Sequence, residues 1–169
     1  TAIHFAMSQA KNNIIMISGP APEVGKSFIS TNLATIFAQS NKKILLLDAD
    51  VRRGYLHKYF NQDYQPGLSE YLNQISPLEQ CIKATDVDNL HIMTRGKSPA
   101  NPSEMLSSER FREMLDLLSQ QYDHIIIDTP PVLAVTDSII IAQYSGVNLV
   151  VARYAKTQIK ELELTISRF

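Results

Sequence analysis

Short runs of branched apolar residues recur along the chain, each bounded by polar residues. Three are clear, Ile14–Ile17, Ile44–Leu47 and Ile125–Ile127, and Val147–Val151 has the same character. Leu90–Met93 is a weaker example. Consecutive apolar residues of this kind are typical of strands that are buried on both faces of a sheet. The pattern therefore predicts four or five buried strands.

Apolar residues at helical spacing separate these runs. Residues 26–40 predict one helix, residues 101–118 a second that opens with Asn-Pro-Ser-Glu, and residues from Thr157 onward a third. The apolar residues of the three helices are Ile29, Leu33, Ile36 and Phe37; Met105, Phe111, Met114, Leu115 and Leu118; and Ile159, Leu162 and Ile166. Because strands alternate with helices, we expect an α/β fold with a mostly parallel central sheet flanked by helices.

Composition narrows the class of protein. The 169 residues are 44% hydrophobic and 20% charged, which fits one globular domain at about 150 residues per domain. The net charge of -1 gives no global attraction to nucleic acid. The single cysteine excludes an internal disulfide, and no apolar run approaches the ~18 residues of a membrane span. We therefore expect a soluble chain from a reducing compartment, without a nucleic-acid partner.

The first strand leads into a loop that ends in Gly-Lys-Ser and then into a helix. Backbone N–H groups of such a loop can enclose phosphates, Lys26 would add a charge, and the Ser27 hydroxyl is a hard ligand for Mg²⁺. Pro20 replaces the usual first glycine, which is displaced to Gly19. The alternative is an ordinary strand-to-helix turn. The residues expected around the phosphates are Pro22, Glu23, Val24, Gly25, Lys26, Ser27 and Phe28.

Aspartates follow two other predicted strands. Asp48 and Asp50 alternate in phase after one strand, and Asp128 ends another. Ligands of open α/β sheets bind at the carboxyl ends of the strands, so these carboxylates suit a Mg²⁺–nucleotide site. Arg52 and Arg53 could bind an anion there. The alternative is that each aspartate only ends a strand, as turn-forming residues do.

Three segments resemble motifs of a known family. Residues 19–27, 46–52 and 126–131 are similar to the Walker A, A′ and B motifs of bacterial tyrosine kinases, the autokinase domains associated with capsule and exopolysaccharide export. Residues 66–72 and 94–104 also resemble the family, so the likeness extends over the whole chain. It implies a P-loop NTPase-like fold of three layers and the cofactors ATP/ADP and Mg²⁺.

The resemblance also implies roles for residues at the site. Lys26 would bind the phosphates, Ser27 and Asp128 would organise Mg²⁺, and Asp48 would be the base or a metal ligand. Asp50 would support the metal site.

Two further roles follow from the same resemblance. Arg52 would position the acceptor loop or an adjacent subunit. Tyr55 follows Arg-Arg-Gly, where similar kinases carry a regulatory tyrosine, and Arg95 is our candidate partner for its phosphate. The alternative is that Tyr55 is an ordinary surface or half-buried aromatic residue.

By resemblance, residues 1–169 are a single kinase domain that is truncated at both ends, without the upstream oligomerisation segment or the tyrosine-rich tail. The family implies self-association, a transmembrane polysaccharide co-polymerase segment of the same chain, and a cognate phosphotyrosine phosphatase. It places the native protein at the cytoplasmic face of the bacterial inner membrane.

Two other functions compete with a kinase. Partitioning or spatial-regulation ATPases of the deviant-Walker group carry an extra lysine early in the loop, and Ala-Pro-Glu stands there instead at residues 21–23. A non-catalytic nucleotide-binding adaptor is the second. The presence of Lys26, Asp48 and Asp128 argues against it.

Overall fold

The computed structural model describes residues 12–19, 25–130, 137–153 and 162–167. The strands in these ranges are β1 (Ile14–Ser18), β2 (Ile44–Asp48), β3 (Ile82–Ala84), β4 (Leu90–Met93), β5 (His124–Asp128), β6 (Val147–Arg153) and β7 (Leu162–Ser167). The helices are α1 (Lys26–Gln39), α2 (Leu56–Tyr59), α3 (Leu68–Leu72), α4 (Leu78–Cys81), α5 (Pro102–Leu106), α6 (Glu109–Gln121) and α7 (Asp137–Ala142).

The described strands form one sheet in the order β3-β4-β2-β5-β1-β6-β7. The pairs β4–β2, β2–β5, β5–β1 and β1–β6 are parallel, whereas β3 and β7 pair antiparallel at the two edges. The predicted α/β class and mostly parallel sheet are confirmed. Because β1, β2 and β5 are parallel neighbours, their carboxyl ends meet at one edge of the sheet.

Alternate strand residues face two separate layers of helices. One face packs against α6 and α7, and the other against α1, which confirms the three-layer arrangement. The sheet residues of the first face include Met16, Leu45, Leu47, Ile125 and Ile127. Those of the second include Ile15, Ile17, Leu46 and Ile126. Burying each of these side chains stabilises the fold by about 1.5–3 kcal/mol relative to leaving it exposed.

The first helix forms where its apolar spacing predicts, but its buried face is rotated relative to the predicted apolar stripe. Phe37 is buried and Ile29 and Leu33 pack against the core, whereas Ile36 is 57% exposed. Small residues fill the rest of the buried face, among them Ser30 and Ala34. The prediction that placed Ile36 on the core stripe was wrong, because a helix that lies close to the sheet selects small side chains at its contact line.

The second predicted helix is two helices. Pro102 occupies the first turn of α5 as predicted, but α5 ends at Leu106 and α6 begins at Glu109. Ser108 caps α6, since its side-chain oxygen accepts a hydrogen bond from the backbone N–H of Phe111 at 3.2 Å. The serine pair at 107–108 therefore interrupts a periodic apolar pattern that continues across it.

The third predicted helix is wrong over its described part. Residues Leu162–Ser167 form β7, which pairs antiparallel with β6. Leu162 and Ile166 are four residues apart, and this spacing fits one face of a helix and one face of a strand equally well. Thr157 and Ile159 lie outside the described residues.

The longest described helix, α1, has 14 residues. It rises about 21 Å at 1.5 Å per residue, enough to recross the sheet between β1 and β2. Among the helices of the described ranges, none is long and apolar enough to span a membrane.

Candidate nucleotide site

The site begins where β1 turns into α1. Gly25 precedes the helix in a left-handed conformation, with φ of 71°. A Cβ on Gly25 would meet no atom of the described residues within 4 Å, and the left-handed backbone angle favours glycine here. α1 then starts at Lys26, so the positive end of its dipole faces the carboxyl edge of the sheet. Pro22, Glu23 and Val24 lie outside the described residues.

Three of the predicted site residues meet at this helix end. Lys26 Nζ forms an ion pair with Asp128 Oδ1, and Ser27 Oγ donates a hydrogen bond to Asp128 Oδ2 at 2.7 Å. Lys26 is 8% exposed and Asp128 is 1% exposed. An ammonium has three protons, so Lys26 can retain this pair and also face a phosphate. Phe28, in the same turn, is 55% exposed.

Asp48 is fully buried beside this cluster. Its Oδ1 accepts a hydrogen bond from the backbone N–H of Asp50 at 3.1 Å, and its Oδ2 accepts one from Leu56 at 3.2 Å. Burial, followed by the nearby negative charges of Asp128 and Asp50, raises the pKa of Asp48 well above its usual value. Its orientation is therefore fixed by backbone donors, while its environment favours binding a proton.

Asp50 is only partly buried, and its Oδ1 accepts a hydrogen bond from the backbone N–H of Arg53 at 3.1 Å. Burial raises the pKa of this carboxyl too. The backbone contact ties Asp50 to the turn that follows β2. This carboxyl therefore adds negative charge to the same edge of the sheet as Asp48.

A fourth carboxylate, Asp137, escaped the sequence analysis. Its side chain is fully buried at the start of α7 and accepts hydrogen bonds from Arg52 Nε at 3.3 Å and Ser103 Oγ at 2.5 Å. It thereby holds the predicted site residue Arg52, whose side chain is 42% exposed. Nothing in the sequence relates residues that are 85 positions apart, although an acid two residues before a run of three isoleucines was a signal for a buried charge.

The two predicted regulatory residues lie on adjoining segments. Tyr55 is 56% exposed, and the ammonium of Lys58 lies 4.7 Å from the centre of its ring. Arg95 Nε donates a hydrogen bond to the carbonyl of Gly54 at 3.0 Å, and the guanidinium lies 4.5 Å over the ring of Tyr64. Arg95 thus contacts the residue immediately before Tyr55.

The donor set at this edge fits Mg²⁺. Within the described part of the chain, no cluster of three or more His, Cys, Asp or Glu could hold a metal ion by itself. Mg²⁺ characteristically takes one or two carboxylates and completes its shell with water and substrate phosphates. The hydroxyl of Ser27 and the carboxylates of Asp128 and Asp48 are hard oxygen donors of this kind, and Lys26 beside them is suited to phosphate.

The fold, together with the lysine, serine and aspartates at the carboxyl edge of its sheet, is that of a P-loop NTPase-like α/β domain. The family described as an AAA domain matches residues 12–169. The tyrosine-protein kinase ptk of Acinetobacter johnsonii is 70% identical over 169 residues, which are all of this chain and 23% of that protein.

Solved structures of tyrosine kinase domains have a similar fold. The kinase domain of the Escherichia coli tyrosine kinase ETK has a TM-score of 0.86 and 44% identity, over 89% of this chain and 59% of that one. The VpsO kinase domain has a TM-score of 0.81 and 36% identity, over 88% and 74%. The chain belongs to the bacterial tyrosine kinase family. It spans about a quarter of the length of the curated relatives that it matches.

Proposed function

We propose that this chain is the ATP-dependent autokinase domain of a bacterial tyrosine kinase that regulates capsule or exopolysaccharide assembly and export. The reaction would transfer a phosphoryl group from Mg-ATP to tyrosines of a neighbouring subunit. The observation that carries the proposal is the contact of Lys26 and Ser27 with Asp128, because it joins the phosphate loop to a second strand end. Relatives that are named tyrosine-protein kinases support it.

Each residue of the candidate site has its own role in the proposed phosphoryl transfer. Lys26 and the amino end of α1 bind and orient the phosphates. Ser27, Asp128 and Asp48 would hold Mg²⁺, which neutralises charge that develops on the phosphates. Asp48, whose pKa is raised by burial, is suited to accept the proton that the tyrosine hydroxyl loses as its oxygen bonds to the γ-phosphorus of ATP and ADP leaves. Asp50 supports the metal site by its charge.

We assign Arg52 to positioning the tyrosine acceptor. Its guanidinium is partly exposed and its Nε is anchored by the buried carboxylate of Asp137, so the remaining donors keep a defined direction. A fixed fork of donors is suited to positioning an acceptor loop or an adjacent subunit.

We assign the regulation of this site to Tyr55. Tyr55 is exposed, so its hydroxyl can receive a phosphate, and Arg95, which already contacts Gly54, is our candidate to pair with that phosphate.

The whole protein would act with several partners. The proposal includes self-association, a transmembrane polysaccharide co-polymerase segment of the same chain and a cognate phosphotyrosine phosphatase. The domain would lie at the cytoplasmic face of the bacterial inner membrane. Relatives named for cps-region and EpsB kinases support the link to polysaccharide export.

The test uses the full-length protein that contains this chain, incubated with Mg-ATP and a tyrosine-containing acceptor protein. Phosphotyrosine is mapped by mass spectrometry while ATP hydrolysis is followed in the same reaction. Phosphotyrosine that disappears in Lys26→Met supports the kinase. Hydrolysis without phosphotyrosine would instead indicate a partitioning-type ATPase, and nucleotide binding without either reaction would indicate an adaptor.

A further inference from the structure

Gly54 lies between two functional side chains. A Cβ on Gly54 would overlap both oxygens of the Asp48 carboxylate, so the glycine packs directly against that carboxylate. On its other side, the Gly54 carbonyl accepts the hydrogen bond from Arg95 Nε at 3.0 Å. One peptide unit therefore touches the proposed proton acceptor and the arginine that the sequence suggested as a phosphate partner.

The turn that contains Gly54 wraps around Asp48. The two hydrogen bonds to the carboxylate come from Asp50 and Leu56, one on each side of the glycine. The turn is closed on itself by the Gly54 N–H, which donates to the Asp50 carbonyl at 2.7 Å. A shift of the 50–56 turn would thus move both donors of the carboxylate together.

Arg95 is itself held in place at the end of β4. Its Nη1 donates to the Gly96 carbonyl at 2.6 Å, and its guanidinium stacks over Tyr64. The Tyr64 carbonyl in turn accepts hydrogen bonds from Thr94 Oγ1 at 3.0 Å and Gly96 N–H at 2.9 Å. The arginine is therefore a fixed support and not a mobile surface cation.

We propose that Arg95 is a positioning residue for phosphoryl transfer: through the Gly54 carbonyl it holds the 50–56 turn against Asp48, whether or not Tyr55 carries a phosphate. The inference rests on the proposed kinase function. A positioning role and a role as phosphate partner for Arg95 predict different results when Tyr55 is replaced. A pure phosphate partner becomes irrelevant when Tyr55 is replaced, whereas a support of Asp48 stays necessary.

The experiment uses full-length protein in a Tyr55→Phe background. Arg95→Met keeps much of the stem but removes every donor, and we expect kcat for tyrosine phosphorylation to fall about tenfold while KM for ATP stays within about twofold, since only alignment is lost. Arg95→Lys restores a donor without the planar fork, and we expect partial recovery. The matched control is Lys97→Met, which removes an exposed positive charge two residues away and should leave kcat unchanged.

Equal kcat values for Tyr55→Phe and Tyr55→Phe/Arg95→Met would overturn the inference. If Arg95→Met does not fold, Arg95→Lys carries the comparison, with a smaller loss of kcat expected and no loss contradicting it. Amide hydrogen exchange gives a readout that needs no kinase activity. Faster exchange at Leu56 in the Arg95 variants supports the inference even if the parent protein forms no phosphotyrosine, whereas unchanged exchange would refute it.

Discussion

Asp48 and Asp128 lie opposite each other on adjacent parallel strands, at paired positions of β2 and β5. Both are buried, and only Asp128 is paired with Lys26. Burial and the charge of Asp128 therefore act together on Asp48, and raise its pKa. The two similar side chains therefore have different environments, since Asp128 is ion-paired with Lys26 whereas the surroundings of Asp48 favour binding a proton.

Lys26→Met is predicted to abolish phosphotyrosine formation and to weaken ATP binding by about tenfold or more, the size expected for a lost charged hydrogen bond. The variant also leaves Asp128 buried without its cation. The measurements are phosphotyrosine by mass spectrometry and ATP affinity by calorimetry. Lys42→Met, which removes an exposed lysine, is the control and should behave as the parent. Retained phosphotransfer in Lys26→Met would contradict the role assigned to this lysine.

Asp48→Asn should reduce kcat by a factor of about 100 or more while ATP affinity changes only a few-fold. Loss of a general base costs on that scale, because proton transfer contributes in the transition state. An asparagine amide also cannot accept both backbone N–H groups that the carboxylate accepts. Steady-state kinetics and calorimetry separate the two effects, with the exposed Asp88→Asn as control. Equal losses of kcat and of ATP affinity would mean that Asp48 contributes only to nucleotide binding.

Asp137→Asn should raise KM for the acceptor protein several-fold and leave KM for ATP unchanged. The variant preserves the shape of the side chain but removes the charge that anchors Arg52. Arg52→Met should have the same effect, and the double variant should add little, as expected of two residues in one ion pair. Additive effects in this cycle would show that Asp137 acts independently of Arg52.

Tyr55→Phe should abolish any rise in activity that follows preincubation with ATP. Phosphate on Tyr55 adds charge beside Arg95 and Lys58, and this pairing can reorder the loop next to the site. The rate of acceptor phosphorylation is measured with and without preincubation. Tyr59→Phe is a matched control, because Tyr59 is 49% exposed at the end of the short helix that begins immediately after Tyr55. A preincubation effect that survives in Tyr55→Phe would exclude this switch.

The sequence was sufficient for the features that depend on local pattern. Consecutive branched residues marked β1, β2 and β5, and parallel pairing then required that Lys26 and the aspartates at positions 48 and 128 share one edge. The apolar runs carry this information because a strand buried on both faces consists mainly of apolar residues.

The features that escaped prediction depend on contacts between distant segments. The spacing of Leu162 and Ile166 does not distinguish a helix from β7, and pairing with β6 decides it. The Arg52–Asp137 ion pair joins segments with no shared motif. Only the structure relates Gly54 to Asp48. Glycine is required at this position because a Cβ would overlap the Asp48 carboxylate, and not because of a turn angle.

Protonation of partly buried histidines should destabilise the protein in mild acid. Burial lowers the pKa of His91 and of His124 below the ordinary 6.5, so the folded state favours the neutral rings. Their contribution to stability is present above pH 6.5 and is lost as pH falls through the lowered folded-state values, where protons bind preferentially to the unfolded chain. His91 Nδ1 also lies 2.7 Å from the Tyr122 hydroxyl, and the ring of His124 is tilted against that of Phe37, with their centres 5.4 Å apart.

The melting temperature measured between pH 7.5 and pH 5 should therefore fall, and the fall should be shallower in His91→Asn/His124→Asn than in the parent. Asp48 has the opposite pH dependence. Because its pKa is raised in the folded state, the stability that it contributes is lost as pH rises. Asp48→Asn should therefore leave the fall in melting temperature at acid pH unchanged. An identical pH dependence in the parent and the double histidine variant would show that other groups control acid unfolding.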